Sequence, residues 1–118
     1  MFFIISTGFS SWGSSIVIMT NLVLKNASKA IITIDDPHDE NPVDIIKNML
    51  ENNSLTNYEV ELNRGKAIKR GIDLLTGQDI LLILGKGHEE VIIVGDKRIP
   101  FNDKEEVLKY IDELKVKN

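Results

Sequence analysis

The chain has 118 residues, 42% of them hydrophobic and 27% charged, the composition of one globular domain large enough to bury its own core. Fourteen basic and eighteen acidic side chains leave a net charge of -4, which argues against the nonspecific nucleic-acid binding that an electropositive face supports. There is no cysteine, hence no disulfide framework and no thiolate metal site, and a reducing cytoplasm is the expected setting.

The opening Met1-Phe2-Phe3-Ile4-Ile5 lacks the basic start of a signal peptide. The apolar stretch from Ile16 to Leu24 is interrupted by Thr20 and Asn21 and falls far short of the about 20 apolar residues that span a bilayer. A soluble, cytoplasmic protein with no membrane partner is expected.

Phe2 to Ser6 reads as a strand that begins almost at the first residue, as in a minimal domain or one cut from a longer chain. A glycine- and serine-rich loop, Thr7 to Ser15, leads into a helix over about Ser15 to Lys25 with Ile16, Met19, Val23 and Leu24 facing inward. Ala30 to Ile34 is a second apolar strand, and Pro37 makes Asp35 to Glu40 a loop. Asn41-Pro42 is a cap followed by a first-turn proline, and Val43, Ile46, Met49 and Leu50 give that helix its apolar face up to Asn52.

Tyr58 to Leu62 alternates as a short strand. Asn63 caps a third helix with Ala67, Ile68, Ile72 and Leu75 inside, and Gly77 closes it in a left-handed conformation. The unbroken apolar run Ile80 to Leu84 predicts a strand buried on both faces. Val91 to Val94 and Ile99 to Phe101 pair as a hairpin through Gly95 to Arg98. Asp103 with Glu106 forms a capping box for a last helix burying Val107, Leu108, Ile111 and Leu114. The alternation predicts a single α/β domain over residues 1–118, three-layered and Rossmann-like, with a mostly parallel sheet followed by a β-hairpin and a helix.

Ligands of such sheets bind outside the carboxyl ends of the strands. Three loops leave those ends, residues 7–15, 35–40 and 85–90, and they carry both histidines, several carboxylates and clustered glycines. Gly8 to Ser15 nearly matches a phosphate loop, but Ser14 stands where the motif needs lysine. The amides of a helix start can still hold an anion, which makes Gly8, Gly13 and Ser14 candidate nucleotide contacts. Asp35, Asp36, His38, His88 and Glu89 are a chemically suitable metal set, yet their spacing fits no compact metal motif, and no metal site is expected. His88 or Glu89 could act as a base, but no serine or cysteine stands at a nucleophile elbow, so no catalytic residue is expected.

Gly85-Lys86-Gly87-His88-Glu89 after an apolar strand resembles the C-terminal domain of the Mur ligases, MurE in particular, which add the third amino acid to UDP-N-acetylmuramoyl-alanyl-glutamate in peptidoglycan synthesis. Thr33-Ile34-Asp35-Asp36-Pro37-His38-Asp39-Glu40-Asn41-Pro42 sits where that family has T-x-D-N-P-R-x-E-x-P. Asn63-Arg64-x-Lys66-Ala67-Ile68 stands for its D-R-x-x-A-I, and Phe101-Asn102-Asp103 for its F-x-D. The resemblance runs from about Ala30 to Leu114.

The resemblance implies the amino-acid-binding domain of an ATP-dependent amide ligase, inactive by itself because the central ATP domain has no counterpart here. ATP and magnesium are implied only where that central domain is present, and the domain itself is an implied partner. Asp35, Asp36, His38, Gly85, Lys86, His88 and Glu89 become the substrate contacts, and Arg64 joins the nucleotide contacts. The resemblance implies a diamino acid as ligand, and a glutamate that can pair with a distal ammonium fits it.

Two departures refine this. His38 replaces the arginine that grips the distal carboxylate of diaminopimelate, and Asp36 adds a repelling charge, so lysine or ornithine suits the rim better. Residues 7–15 carry no charge where the family's first loop has arginine and lysine. The alternative is therefore a free-standing, degenerate domain acting as a binding or regulatory module.

Overall fold

The structure is a computed structural model that describes residues 2–6, 13–34, 41–51, 53–84 and 91–117, with side-chain surroundings for 20–34, 41–51, 53–84 and 95–116. In chain order the elements are β1 (Phe2–Ser6), α1 (Gly13–Asn26), β2 (Lys29–Thr33), α2 (Pro42–Met49), β3 (Tyr58–Val60), α3 (Arg64–Leu74), β4 (Leu81–Ile83), β5 (Val91–Val94), β6 (Lys97–Pro100) and α4 (Asp103–Lys117). The first four strands form a parallel sheet in the order β3-β2-β1-β4, and β5 and β6 form a separate antiparallel ladder. The expected α/β class and its parallel sheet are present.

Because successive side chains of a strand point to opposite faces, β2 feeds two cores. Ala30 and Ile32 join Val23 and Leu24 of α1 and Ile45, Ile46 and Met49 of α2 on one face. Ile31 joins Ala67, Ile68 and Ile72 of α3 on the other, with Leu81, Ile83, Val107 and Tyr110 packed against them. Helices on both faces of a central sheet give the three layers, and they explain why β2 is buried from Ala30 to Thr33.

Local chemistry fixes several boundaries as expected. The Asn41 side chain accepts from the Val43 amide, and Pro42 follows at the first helical position. Asn63 accepts from the Lys66 amide at 3.0 Å to start α3. Gly77 has φ +53, the left-handed conformation expected of it, but it lies in the turn after the helix, beyond the Leu75 cap. That turn is closed by Asp79, which accepts from the Thr76 amide and hydroxyl, and these bonds hold its carboxyl below the ordinary range.

Five expectations need correction. Val43 is 48% exposed, because it stands roughly 110° around the helix from the centre of the Ile45–Ile46–Met49 stripe. The hairpin turn is the two residues Gly95-Asp96, with Val94 opposite Lys97 and Gly95 at φ +61, as tight hairpin turns require. Asn102 rather than Asp103 caps α4, its side chain accepting from the Glu105 amide. The helix turns Asp103, Val107 and Tyr110 toward α3, which leaves Leu108, Ile111 and Leu114 exposed. Finally, β4 lies at the end of the sheet order, and Leu82 within it and Ile80 just before it are exposed rather than covered on both faces.

Candidate functional site

The parallel register brings three strand ends to one edge. Ser6 is opposite Thr33, and Ile4 is opposite Ile83, with β1 between β2 and β4. Neighbouring strands are about 4.8 Å apart, so the chain leaves β2, β1 and β4 from points within roughly 10 Å of one another. The segments that follow hold Gly8, then Asp35, Asp36 and His38, then Gly85, Lys86, His88 and Glu89, all of which lie outside the described residues. Gly13 and Ser14 are the first two helical residues of α1, directly after the segment that leaves β1. The sheet thus delivers the flanks of every expected contact segment to one edge.

The described residues of that edge have chemistry of their own. Arg64, expected to serve a nucleotide, is 3% exposed, and its described hydrogen bonds go to protein groups. Its Nε donates to Asp103 Oδ1 at 2.7 Å and its Nη2 to Asp103 Oδ2 at 2.8 Å, a two-point fork. The same Nη2 makes a longer, 3.4 Å contact to the carbonyl of Leu84, the last described residue before Gly85. Arg64 therefore ties the start of α3 to the start of α4 and the end of β4.

Gly65 permits this approach of α4 to α3. A Cβ there would stand 3.1 Å from Glu106 Oε2 and 3.6 Å from the Tyr110 hydroxyl. Burial, then the Glu106 carboxylate, pushes the Tyr110 phenol above its ordinary pKa. Beside this corner, Pro100, Phe101, Asn102, Glu105 and Glu106 line a cleft of about 340 Å³.

Thr33, at the end of β2, is fully buried, and its hydroxyl has no hydrogen-bonding partner among the described residues. Sequence reasoning set Thr33 and Asp103 within the family's motifs but missed the structural role of each. Thr33 reads as one more β-branched strand residue, and Asp103 as a helix cap; its partner is 39 positions away, and no local pattern announces the pair. Among the described residues no group of three or more histidine, aspartate or glutamate side chains is placed to hold a metal ion. None of their helices is long and apolar enough to cross a membrane.

An open parallel sheet with helices on both faces defines a Rossmann-like α/β domain. No protein-family model matches the chain. It is 40% identical over 97 residues to UDP-N-acetylmuramoyl-L-alanyl-D-glutamate--2,6-diaminopimelate ligase 1 of Clostridium acetobutylicum, covering 82% of this chain and 20% of that protein. It is 42% identical over 97 residues to the corresponding ligase of Rickettsia prowazekii, with the same coverage. A solved structure of a UDP-N-acetylmuramoyl-L-alanyl-D-glutamate--2,6-diaminopimelate ligase superposes with a TM-score of 0.90 at 28% identity, over 97% of this chain and 24% of that one. The chain is similar to the Mur ligases, MurE in particular, and the resemblance drawn from its motifs is borne out. It spans about a fifth of the length of the curated relatives it matches.

Proposed function

We propose that this chain is the amino-acid-binding part of a MurE-like, ATP-dependent amide ligase of peptidoglycan synthesis, working in the cytoplasm, and that it takes a diamino acid at the carboxyl edge of its sheet. The observation that carries this reading is the 40% identity over 97 residues to a ligase named for joining diaminopimelate to UDP-N-acetylmuramoyl-L-alanyl-D-glutamate. In this reading residues 1–118 are one domain, and ATP and magnesium belong to a central domain with which it works. Alone it holds the incoming amino acid and forms no bond.

The contact residues proposed are Asp35, Asp36, His38, Gly85, Lys86, His88 and Glu89, with Gly8, Gly13 and Ser14 toward the nucleotide; Arg64, buried against Asp103, is not among them. The relatives are named for diaminopimelate, but this chain has His38 and Asp36 where the resemblance expects arginine and asparagine. A mostly neutral imidazole offers no bidentate fork, and an added carboxylate repels a second one. Lysine or ornithine is therefore the proposed ligand class. The uncharged stretch from Thr7 to Ser15 favours a second reading, a degenerate domain turned to binding or regulation.

An amide NMR titration with lysine, ornithine, meso-diaminopimelate and ATP tests both. Shifts clustered at Asp36, His38, Gly85 and Glu89 with lysine or ornithine are the expected result. Equal or tighter binding of diaminopimelate overturns the charge argument. No response to any of the four overturns amino-acid binding and leaves the second reading.

A further inference from the structure

We propose that Arg64 is a positioning residue: anchored by Asp103, its guanidinium fixes the end of β4, and so the point from which the chain departs toward Gly85-Lys86-Gly87-His88-Glu89. The effect on ligand binding rests on the amino-acid-binding reading above; the fixing of β4 does not.

β4 needs such a fixture. It is three residues long, and among the described residues it pairs with one strand only. Its neighbour β1 continues past it to Ser6, and the described ladder between the two ends at Ile4–Ile83, one residue before Leu84. At that point Arg64 Nη2 approaches the Leu84 carbonyl at 3.4 Å, while the Nε and Nη2 bonds to Asp103 hold the guanidinium plane. The side chains of the pair are 1% and 9% exposed. A planar fork with in-plane donors can bind a carboxylate with one edge and present a further donor in a fixed direction, which an ammonium on a flexible stem does not do. Stability alone does not require this arrangement, since well-packed apolar residues often match or exceed a buried ion pair. What the pair adds is direction, joining α3, α4 and the last described residue of β4.

Arg64→Lys keeps the charge and removes the fork, and Ile72→Val, which trims one methylene from the same helix's core, controls for general loosening. In the unligated chain, Arg64→Lys is expected to speed amide hydrogen exchange at Leu82 to Leu84 at least tenfold relative to Ile31 and Ile32, with no such contrast in Ile72→Val. Lysine or ornithine affinity is expected to fall at least fivefold in Arg64→Lys and less than twofold in the control. Exchange that rises evenly across the sheet, or unchanged affinity in Arg64→Lys, overturns the proposal. If the wild-type chain binds neither amino acid, the amino-acid reading fails, and the exchange contrast alone decides whether Arg64 fixes β4. Should Arg64→Lys not fold, the wild-type chain decides: Overhauser contacts from the Arg64 guanidinium protons to Leu84 are expected, and their absence overturns the clamp.

Discussion

At the carboxyl end of β2 the Thr33 side chain is wholly buried, and its hydroxyl meets no partner among the described residues. A buried hydroxyl without a hydrogen bond gives up its hydration with nothing in return, at a cost of about 1–3 kcal/mol. Valine has the same shape and no such cost. Thr33→Val should therefore raise stability by about 1 kcal/mol, or about 4 °C in Tm for a domain of this size, measured by thermal unfolding. A drop in Tm would mean that the hydroxyl does have a partner in solution, such as a bound water. Asn57 is satisfied on one side only: its Oδ1, like the Thr33 hydroxyl, is buried without a partner among the described residues, while its nitrogen is bonded. Its amide nitrogen donates to the carbonyls of Leu24 and Ala27, satisfying two acceptors at the end of α1 that helix geometry leaves open. Neither role is visible in sequence, because each depends on which backbone group lies across the fold rather than along the chain.

Among the elements, β2, β3 and α3 are tied together by one carboxylate. Glu59 accepts from Lys29 Nζ at 2.6 Å and from Arg70 Nε and Nη2 at 3.1 and 2.9 Å. The Arg70 and then the Lys29 hydrogen bonds lower its pKa from 4.5 to about 2. A carboxyl whose folded pKa is depressed contributes stability that is fully present above the unfolded value and is lost as pH falls through the folded one. The wild-type chain should thus lose stability more steeply than Glu59→Gln between pH 4.5 and pH 2, the two curves converging at the acid end. Because Glu59 and its partners are between 31% and 49% exposed, solvent screening holds the difference near pH 7 to under about 1 kcal/mol. Denaturant midpoints measured across that range check it, and parallel curves would show that the cluster does not persist in solution. The sequence made the elements themselves legible wherever the signal was local: Asn41-Pro42 and Asn63 start their helices as read, and Gly77 takes the left-handed turn. It misled where the inner face of a helix depended on a distant partner. Nothing within α4 distinguishes the Val107–Tyr110 face from the Leu108–Ile111 face; the Asp103 anchor to Arg64 does.

For the molecule as a whole, the alternation of strands and helices made the layers legible, and the strand-end loops pointed to the edge that the parallel register then assembled. The order of strands was not legible, because a run such as Ile80 to Leu84 is apolar whether it lies centrally or at an edge. That distinction matters for behaviour in solution. An apolar strand with one described neighbour, flanked by Ile80 at 54% exposure, offers apolar surface and, among the described residues, backbone groups with no ladder partner, the combination that favours edge-to-edge association. Natural edges are commonly guarded by lysine, and position 80 stands just before the strand, where a charge interrupts no ladder bond. Ile80→Lys should therefore leave the unfolding midpoint within about 2 °C of the wild type, since exposed substitutions seldom move stability by more than about 0.5 kcal/mol. It should at the same time delay the onset of light scattering on heating. A Tm loss of the size that core substitutions produce would instead show that Ile80 is covered in solution, and that the sheet extends past β4 on that side.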